Sequence, residues 1–220
     1  MRTFVINLDS ATDRWAKYKD DLSYERWSAT HYDEMYESDP IFKKMVSYHN
    51  IDPNQHRSKC ACFRSHTSIW HYIVTNKMND ILILEDDAIK VNDIPDDLPQ
   101  DGFTYLGGFT SHKKITDGPK KIDFEDGIHD IDHAEYKMIM CLSIYIPTWE
   151  VAYKMLQAAE GPERCRAIDT MIYKAHVPQY VSYPASFVEE PIASQIRSGK
   201  NKFSNSKYEW LTRKQLLGRP

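Results

Sequence analysis

Three carboxylates stand together in the middle of this 220-residue chain, directly after a run of apolar residues. Glu85, Asp86 and Asp87 follow residues 81–84, whose sequence Ile-Leu-Ile-Leu is typical of a strand buried on both faces of a parallel sheet. Adjacent acids repel one another unless a cation or a group of hydrogen-bond donors compensates their charge. Because Mg²⁺ and Mn²⁺ prefer oxygen ligands and often bridge to substrate phosphates, the pattern indicates a metal and diphosphate site. The alternative interpretation is a solvated acidic turn after a core strand.

A strand-to-helix turn near the start of the chain is a second candidate ligand site. Residues 3–8 are strand-like, and Asp9 and Ser10 carry side chains that can cap a following helix. The apolar face predicted for this helix comprises Trp15, Tyr18 and Leu22. Nucleotides commonly bind where a parallel strand passes into a helix, so residues 7–10 form a candidate nucleotide turn.

The composition is that of a globular protein and argues against several function classes. Hydrophobic residues make up 41% of the chain and charged residues 27%, which is enough apolar sequence for a real core. A net charge of −4 offers no broad basic field for nucleic acid or an anionic membrane. No apolar run approaches the roughly 18 residues that span a bilayer, and Met1 leads into the first strand without a signal peptide. We therefore expect a cytoplasmic protein that binds no nucleic acid.

The four cysteines do not have the spacing of a disulfide framework or a zinc site. Cys60 and Cys62 are the closest pair, and they are separated by one residue instead of the two of a CxxC motif. Core packing is the favoured interpretation for this pair, and a reduced, cytosolic-type compartment is the favoured environment.

Helices and strands alternate along the rest of the chain. Apolar spacing predicts a helix that begins near Cys62, ends near Asn76 and leads into the strand at residues 81–84. Further strands are predicted at residues 103–106, 138–146 and 181–187, and further helices at residues 148–159 and 166–172. The stretches interpreted as irregular are residues 28–58, with a candidate short helix near residues 41–48, and a charged loop at residues 110–133. This alternation predicts an α/β domain with one mainly parallel sheet over residues 1–197, followed by a polar tail at residues 198–220 with a short amphipathic helix.

Several segments in order resemble the motifs of glycosyltransferase family 25, the lipopolysaccharide and collagen galactosyltransferase-type enzymes. Residues 4–14 (FVINLDSATDR) resemble the family's opening INLD…R segment, and residues 62–66 (CFRSH) with Trp70 resemble its GC…SH…W segment. Residues 84–87 match its LEDD motif, which is similar to the DxD signature of metal-dependent nucleotide-sugar transferases. The later segments in the family's order are Tyr105-Leu106-Gly107, Ile168-Asp169 and Ser194-Gln195-Ile196.

The resemblance covers residues 3–196 and implies a GT-A fold, which is a Rossmann-like α/β fold. It also implies a nucleotide-sugar donor such as UDP-galactose or UDP-glucose, Mn²⁺ (or Mg²⁺) as cofactor, and a glycan or glycoconjugate acceptor. Ser58 and Ala61 stand where the family has glycines, and the chain is short for the family. Its length is similar to that of compact transferases encoded by large algal viruses, which would act in the host cytoplasm.

The resemblance also assigns roles to the residues of the donor site. Asp87 is the expected direct metal ligand, with Glu85 next, and Asp86 would hydrogen-bond the ribose or sugar of the donor. The remaining residues expected to bind the donor are Asn7, Leu8, Asp9, Arg14, Arg64, Ser65 and Gly107. The alternatives are an ordinary acid at the end of a strand for Glu85 and a solvated charge on the first helix for Arg14.

A predicted helix start accounts for the phosphate contacts. Arg64 and Ser65 would meet the diphosphate there, because backbone N–H groups, a guanidinium and a hydroxyl all suit phosphate. In the alternative interpretation, Ser65 only caps the helix. His66 is interpreted as a structural core imidazole.

Transfer with inversion needs a general base beside the acceptor hydroxyl, ordinarily Asp or Glu. Asp169 lies where the resemblance expects this residue, at the start of a predicted helix after a loop. An acid that only stabilises the helix N-terminus is the alternative. Glu189 and Glu190 are further candidate bases, and His176 is the nearest histidine that could complete a metal shell, although a lone histidine is usually not a ligand.

Two other functions are compatible with the sequence. A metal-dependent phosphohydrolase would use the same acids and need no sugar acceptor. A catalytically silent nucleotide-sugar-binding module would use the 14 tyrosines and five tryptophans for stacking, although most of these belong to the core.

Overall fold

The computed structural model of the protein describes residues 1–35, 39–46, 53–107, 109–112, 125–131, 136–140, 143–160, 167–173 and 176–189. Its strands are β1 (Arg2–Asn7), β2 (Tyr24–Ser28), β3 (Ile81–Glu85), β4 (Ala88–Lys90), β5 (Phe103–Tyr105), β6 (Phe109–His112), β7 (Gly127–Asp130), β8 (Tyr136–Met140), β9 (Ile144–Ile146), β10 (Gln179–Tyr183) and β11 (Phe187–Glu189). Its helices are α1 (Thr12–Trp15), α2 (Pro40–Val46), α3 (Pro53–Thr75), α4 (Trp149–Glu160) and α5 (Ile168–Tyr173), with a 3₁₀ turn at Tyr32–Glu34. None of these helices is both long and apolar enough to cross a membrane.

A seven-stranded sheet ordered β2-β1-β3-β9-β5-β10-β7 is the frame of the described residues. β1 pairs in parallel with both β2 and β3, and β5 pairs in parallel with β10. β9 lies antiparallel between β3 and β5, and β7 is antiparallel at the edge. β2, β1, β3, β5 and β10 therefore all point the same way, which confirms the predicted α/β class with a mainly parallel sheet, as in a GT-A-like fold.

β3 is buried on both faces, as its apolar run predicts. Ile81 and Ile83 pack into the cluster that contains Trp70 of α3, whereas Leu82 and Leu84 pack into the cluster on the other side of the sheet. This alternation follows from the two-residue period of a strand. Each such burial stabilises the fold by about 1.5–3 kcal/mol, so the acids that follow β3 are attached to a firmly held strand.

α3 is longer than the sequence pattern predicts. The helix begins at Pro53 and not near Cys62, because residues 53–59 are polar and carry no apolar periodicity that would mark them as helical. Residues 64–66 therefore lie inside the helix, and the prediction that they form a helix start is wrong.

α1 is shorter than its predicted apolar face requires. It covers only Thr12–Trp15, and its N-cap is Ala11 without a side-chain cap, so the predicted capping by Ser10 is wrong. Tyr18 is buried beyond the end of the helix, but Leu22 is 97% exposed and belongs to no apolar face. The turn after β1 is therefore held by contacts with other strands and only weakly by its own helix.

Other boundaries differ because tertiary pairing divides apolar stretches. The strand predicted at residues 138–146 is two strands in different sheets, β8 paired with β6 and β9 in the central sheet. The strand predicted at residues 181–187 is likewise divided into β10 and β11, and β11 pairs with β4. The helices predicted at residues 148–159 and 166–172 are confirmed as α4 and α5. The predicted tail at residues 198–220 and Ser194-Gln195-Ile196 lie outside the described residues.

Candidate functional site

The carboxyl ends of three neighbouring parallel strands bring the two sequence motifs together. In the register of the sheet Asn7 lies beside Ser28, and Ile6 lies beside Glu85. The INLD turn and the LEDD motif, which are almost 80 residues apart, therefore meet at one edge, as ligand sites of open α/β sheets require.

Asp86 joins the two motifs directly. Its side chain is buried. Oδ2 accepts a hydrogen bond of 2.7 Å from Asn7 Nδ2, and Oδ1 forms an ion pair of 2.9 Å with Arg14 Nη1. A buried carboxylate needs such partners, because an unpaired charge out of water is costly. Arg14 is thus not a solvated surface charge, and Asp86 is the acid that holds the first turn against β3.

Arg26 of β2 completes this network, and sequence reasoning missed it. Its Nε and Nη2 donate to Asn7 Oδ1 at 2.9 Å and 2.6 Å, and Nη2 also donates to the Leu8 carbonyl at 2.9 Å. The guanidinium lies 5.6 Å from the ring centroid of Trp15. No motif marks Arg26 in the sequence, because only the parallel pairing of β2 with β1 brings it beside Asn7.

Asp9 lies at the solvent side of the same turn. Its Oδ2 accepts a hydrogen bond of 2.7 Å from the Ser28 hydroxyl, and its Oδ1 lies 3.8 Å from Arg26 Nη2. The side chain is 73% exposed, so it is accessible to a ligand in a way that Asn7, which is buried, is not.

Glu85 lies on the α3 face of the sheet and contacts His66. The distance from His66 Nε2 to Glu85 Oε1 is 3.1 Å, and the imidazole is 1% exposed. Cys62 is one helical turn before His66 on the same face of α3. Among the described residues, the group of three metal-ligating side chains is Cys62, His66 and Glu85, whose ligand atoms lie within 4.8 Å of one another.

Asp169, at the start of α5, places a negative charge close to this group. Burial lowers the pKa of His66 to about 4, and the charge of Asp169 opposes that shift. Burial raises the pKa of the Cys62 thiol, and the charges of Glu85 and Asp169 raise it further. The pKa of the buried Tyr105 hydroxyl, at the carboxyl end of β5, is also raised by burial and by Asp169. The predicted base is therefore near the carboxyl end of the sheet.

Asp87 occupies the turn between β3 and β4 and is partly exposed. Its charge acts on Tyr18, whose pKa is raised first by burial and then by Asp87 and Asp86. Tyr18 belongs to the core cluster on the side of the sheet opposite Trp70. Glu85 and Asp87 are the two acids predicted to share a metal. Among the described residues Glu85 is grouped with Cys62 and His66, so the two acids do not belong to one ligand group. The carboxylate oxygens of Asp87 are of the type that suits Mn²⁺ or Mg²⁺.

Arg64 and Ser65 make contacts within the protein. Arg64 forms an ion pair with Asp39, which precedes α2. The Ser65 hydroxyl donates to the Ala61 carbonyl at 2.8 Å and accepts from the Thr30 backbone N–H at 3.0 Å. Because both residues lie inside α3, their backbone N–H groups belong to the helix, and the phosphate argument from a helix start does not hold for them.

The remaining predicted residues lie in different parts of the sheet. Gly107 follows β5, and a Cβ atom there would come within 2.7 Å of the Phe187 carbonyl oxygen. The backbone at Gly107 therefore lies close to the backbone at Phe187, as the glycine predicts. His176 is exposed in the bend before β10, at the amino end of this parallel strand, so the structure does not bring it beside the acids that follow the carboxyl end of β3. Glu189 ends β11, but its side chain and all of Glu190 lie outside the described residues.

Comparison with known proteins identifies the family. The sequence model of glycosyltransferase family 25 (LPS biosynthesis protein) matches residues 1–114, just over half of the 220-residue chain. That region contains both turns that meet at Asp86, whereas Asp169 lies beyond it. No curated protein matches the chain. The matched region makes this chain a member of glycosyltransferase family 25, and so a glycosyltransferase.

Proposed function

We propose that the protein transfers a hexose from a UDP-sugar, UDP-galactose or UDP-glucose, to a glycan or glycoconjugate acceptor, with Mn²⁺ or Mg²⁺ bound. The observation that carries this proposal is the Arg14–Asp86–Asn7 network, which joins the INLD turn to the acidic turn after β3 at the carboxyl edge of the sheet. This edge is where α/β sheets bind nucleotides. A phosphohydrolase would need the acids alone and gives no reason for the buried link to the first turn.

On the donor side, the network would shape the nucleoside pocket. Asn7 and Asp86 use their side chains to hold one another, so their contribution is to fix the backbone of both turns around the donor. Leu8 and Asp9, in the turn after β1, would contact the nucleoside, and the backbone at Gly107 would border the sugar.

Asp87 would hold the metal, because it follows the carboxyl end of β3 and is partly exposed. A bound Mn²⁺ or Mg²⁺ supplies charge neutralisation for the departing diphosphate. Glu85 is the weaker candidate for this role, since it is turned toward His66 and Cys62.

On the acceptor side, Asp169 would act as general base. The acceptor hydroxyl oxygen forms a bond to the anomeric carbon as the bond from that carbon to the diphosphate oxygen breaks, and the hydroxyl proton passes to the Asp169 carboxylate. Its position near Tyr105 and His66 supports this role, because these side chains are also at the carboxyl edge.

Calorimetry with UDP-galactose, UDP-glucose and a GDP-sugar, with and without Mn²⁺, tests the donor site. We expect metal-dependent binding of a UDP-hexose, a loss of at least about tenfold in affinity in Asp87→Ala, which corresponds to about 1.4 kcal/mol, and unchanged binding in Asp169→Asn. Asp169→Asn is then expected to lose transfer while it retains the donor.

Three outcomes would contradict parts of the proposal. An absence of metal-dependent binding to any UDP-sugar would remove the donor assignment. Binding without sugar release to water or to any acceptor in a glycan panel would favour the binding module. Loss of donor affinity in Asp169→Asn would place Asp169 in the donor site.

A further inference from the structure

The side chains of Cys62, His66 and Glu85 form a group that the donor site does not require. We propose that this group is a second metal site, for Zn²⁺ or a similar borderline ion, between α3 and the carboxyl end of β3. The site does not depend on the proposed UDP-sugar specificity, because its three side chains need no bound donor to come together.

α3 and β3 together bring the three side chains close to one another. Cys62 and His66 are four residues apart on α3, so the helix directs both side chains toward the same place. Glu85 reaches that place from β3, with its Oε1 at 3.1 Å from His66 Nε2 and all three ligand atoms within 4.8 Å of one another. Ligand atoms around tetrahedral zinc are separated by about 3–4 Å, so small side-chain rotations suffice to close the group on an ion.

A buried ring nitrogen of His66 independently indicates a missing ligand. His66 Nδ1 is buried and has no hydrogen-bond partner among the described residues, although the ring is 1% exposed. A buried polar atom without a partner costs about 1–3 kcal/mol. A bond from Nδ1 to an ion would supply the partner that this nitrogen lacks.

The donor types decide which ion fits. A thiolate, an imidazole and a carboxylate together suit Zn²⁺, whereas Mg²⁺ and Mn²⁺ prefer oxygen ligands only. Three protein ligands leave a fourth position for water or a substrate group, as in catalytic zinc sites. Binding would displace the Cys62 thiol proton to solvent as the sulfur–metal bond forms, so that the thiolate and Glu85 carry the charge that the cation neutralises.

Cobalt spectroscopy tests the site directly. The full-length chain is freed of metal with a chelator and titrated with Co²⁺, whose bond to a thiolate gives a charge-transfer absorption band. We expect this band in the unaltered chain, its displacement by Zn²⁺, and its loss in Cys62→Ala. Cys60→Ala is the matched control, because Cys60 is on the same helix but is buried in the core and outside the ligand group, and it should keep the band.

Three further measurements separate this site from the donor site and from a failure to fold. Asp87→Ala should keep the cobalt band, whereas Cys62→Ala should keep any Mn²⁺-dependent UDP-hexose binding. In the unaltered chain, Zn²⁺ should slow alkylation of Cys62 about tenfold once about nine-tenths of the sites hold the ion, because only the unbound thiol reacts; peptide mass spectrometry measures this rate and needs no variant. The proposal is overturned if no thiolate band forms, if Cys62→Ala keeps the band, or if Zn²⁺ leaves the Cys62 alkylation rate unchanged.

Discussion

At the scale of single residues, the site depends on a chain of contacts that starts at Arg26. This side chain fixes Asn7, Asn7 fixes Asp86, and Asp86 is neutralised by Arg14. Hydrogen bonds to charged groups contribute about 1.5–3 kcal/mol each, so the fork from Arg26 to a single oxygen of Asn7 is a substantial constraint. Arg26 touches no reacting atom in this scheme, and its role is to position the turn.

We expect Arg26→Lys to weaken UDP-hexose binding about tenfold, which corresponds to about 1.4 kcal/mol, while the chain stays folded. A lysine keeps the charge but has no planar fork to reach both Asn7 and the Leu8 carbonyl. Calorimetry gives the affinity, and thermal unfolding checks the fold. The control is Lys19→Ala, which removes an exposed charge close by in the sequence and should bind as the unaltered chain does. Equal affinities of Arg26→Lys and the control would show that the fork is not needed.

At the scale of elements, close backbone approach links β5 to β11. The Phe187 N–H donates to the Leu106 carbonyl at 2.9 Å, and its own carbonyl oxygen lies where a side chain at Gly107 would have to go. β11 pairs in turn with β4, the strand that follows the acidic turn. Gly107 therefore packs against β11, which pairs with the strand next to Asp87. It is also a candidate neighbour of the donor.

Gly107→Ala should lower the free energy of unfolding by about 1–3 kcal/mol, because the new methyl group forces β11 away from β5. Denaturant unfolding measures this loss, and the slope of the transition should stay unchanged. If stability were unaltered and only donor affinity fell, the role of Gly107 would lie in ligand contact, and the steric account would be wrong.

At the scale of the whole molecule, the region that identifies the family does not contain all the strands of the central sheet. Residues 1–114 supply β1, β2, β3 and β5, but β9 lies between β3 and β5 in the sheet. Ile144 pairs with both Ile83 and Tyr105, so the later half of the chain bridges the strands of the earlier half.

A fragment of residues 1–114 is therefore expected to lack a cooperative unfolding transition. Without β9, the strands β3 and β5 would expose unpaired backbone groups and apolar side chains, which favours aggregation. Calorimetry and near-ultraviolet circular dichroism of the fragment and of the full chain would measure the difference. A sharp thermal transition in the isolated fragment would contradict the interleaved sheet.

The sequence alone determined the class of fold, the family motifs and the place of the acids. A run of four branched residues is buried on both faces wherever it lies, so residues 81–84 predicted a central strand with carboxylates at its end. Local periodicity also predicted α4 and α5, since the apolar face of a helix is formed by residues that are close to one another in the sequence. The polar residues 53–59 carry no such signal, which is why the apolar pattern predicts a beginning of α3 that is too late.

Only the tertiary structure decided how the three acids differ. Glu85 faces His66 and Cys62, Asp86 faces Asn7 and Arg14, and Asp87 remains at the accessible turn. The partners of each acid come from strands and helices far away in the chain, and no local pattern encodes the order in which strands pair. The pair of cysteines interpreted as core residues also shows that local patterns do not give a residue's partners. Cys60 is buried in the core, whereas Cys62, two residues later, faces the carboxyl edge beside Glu85.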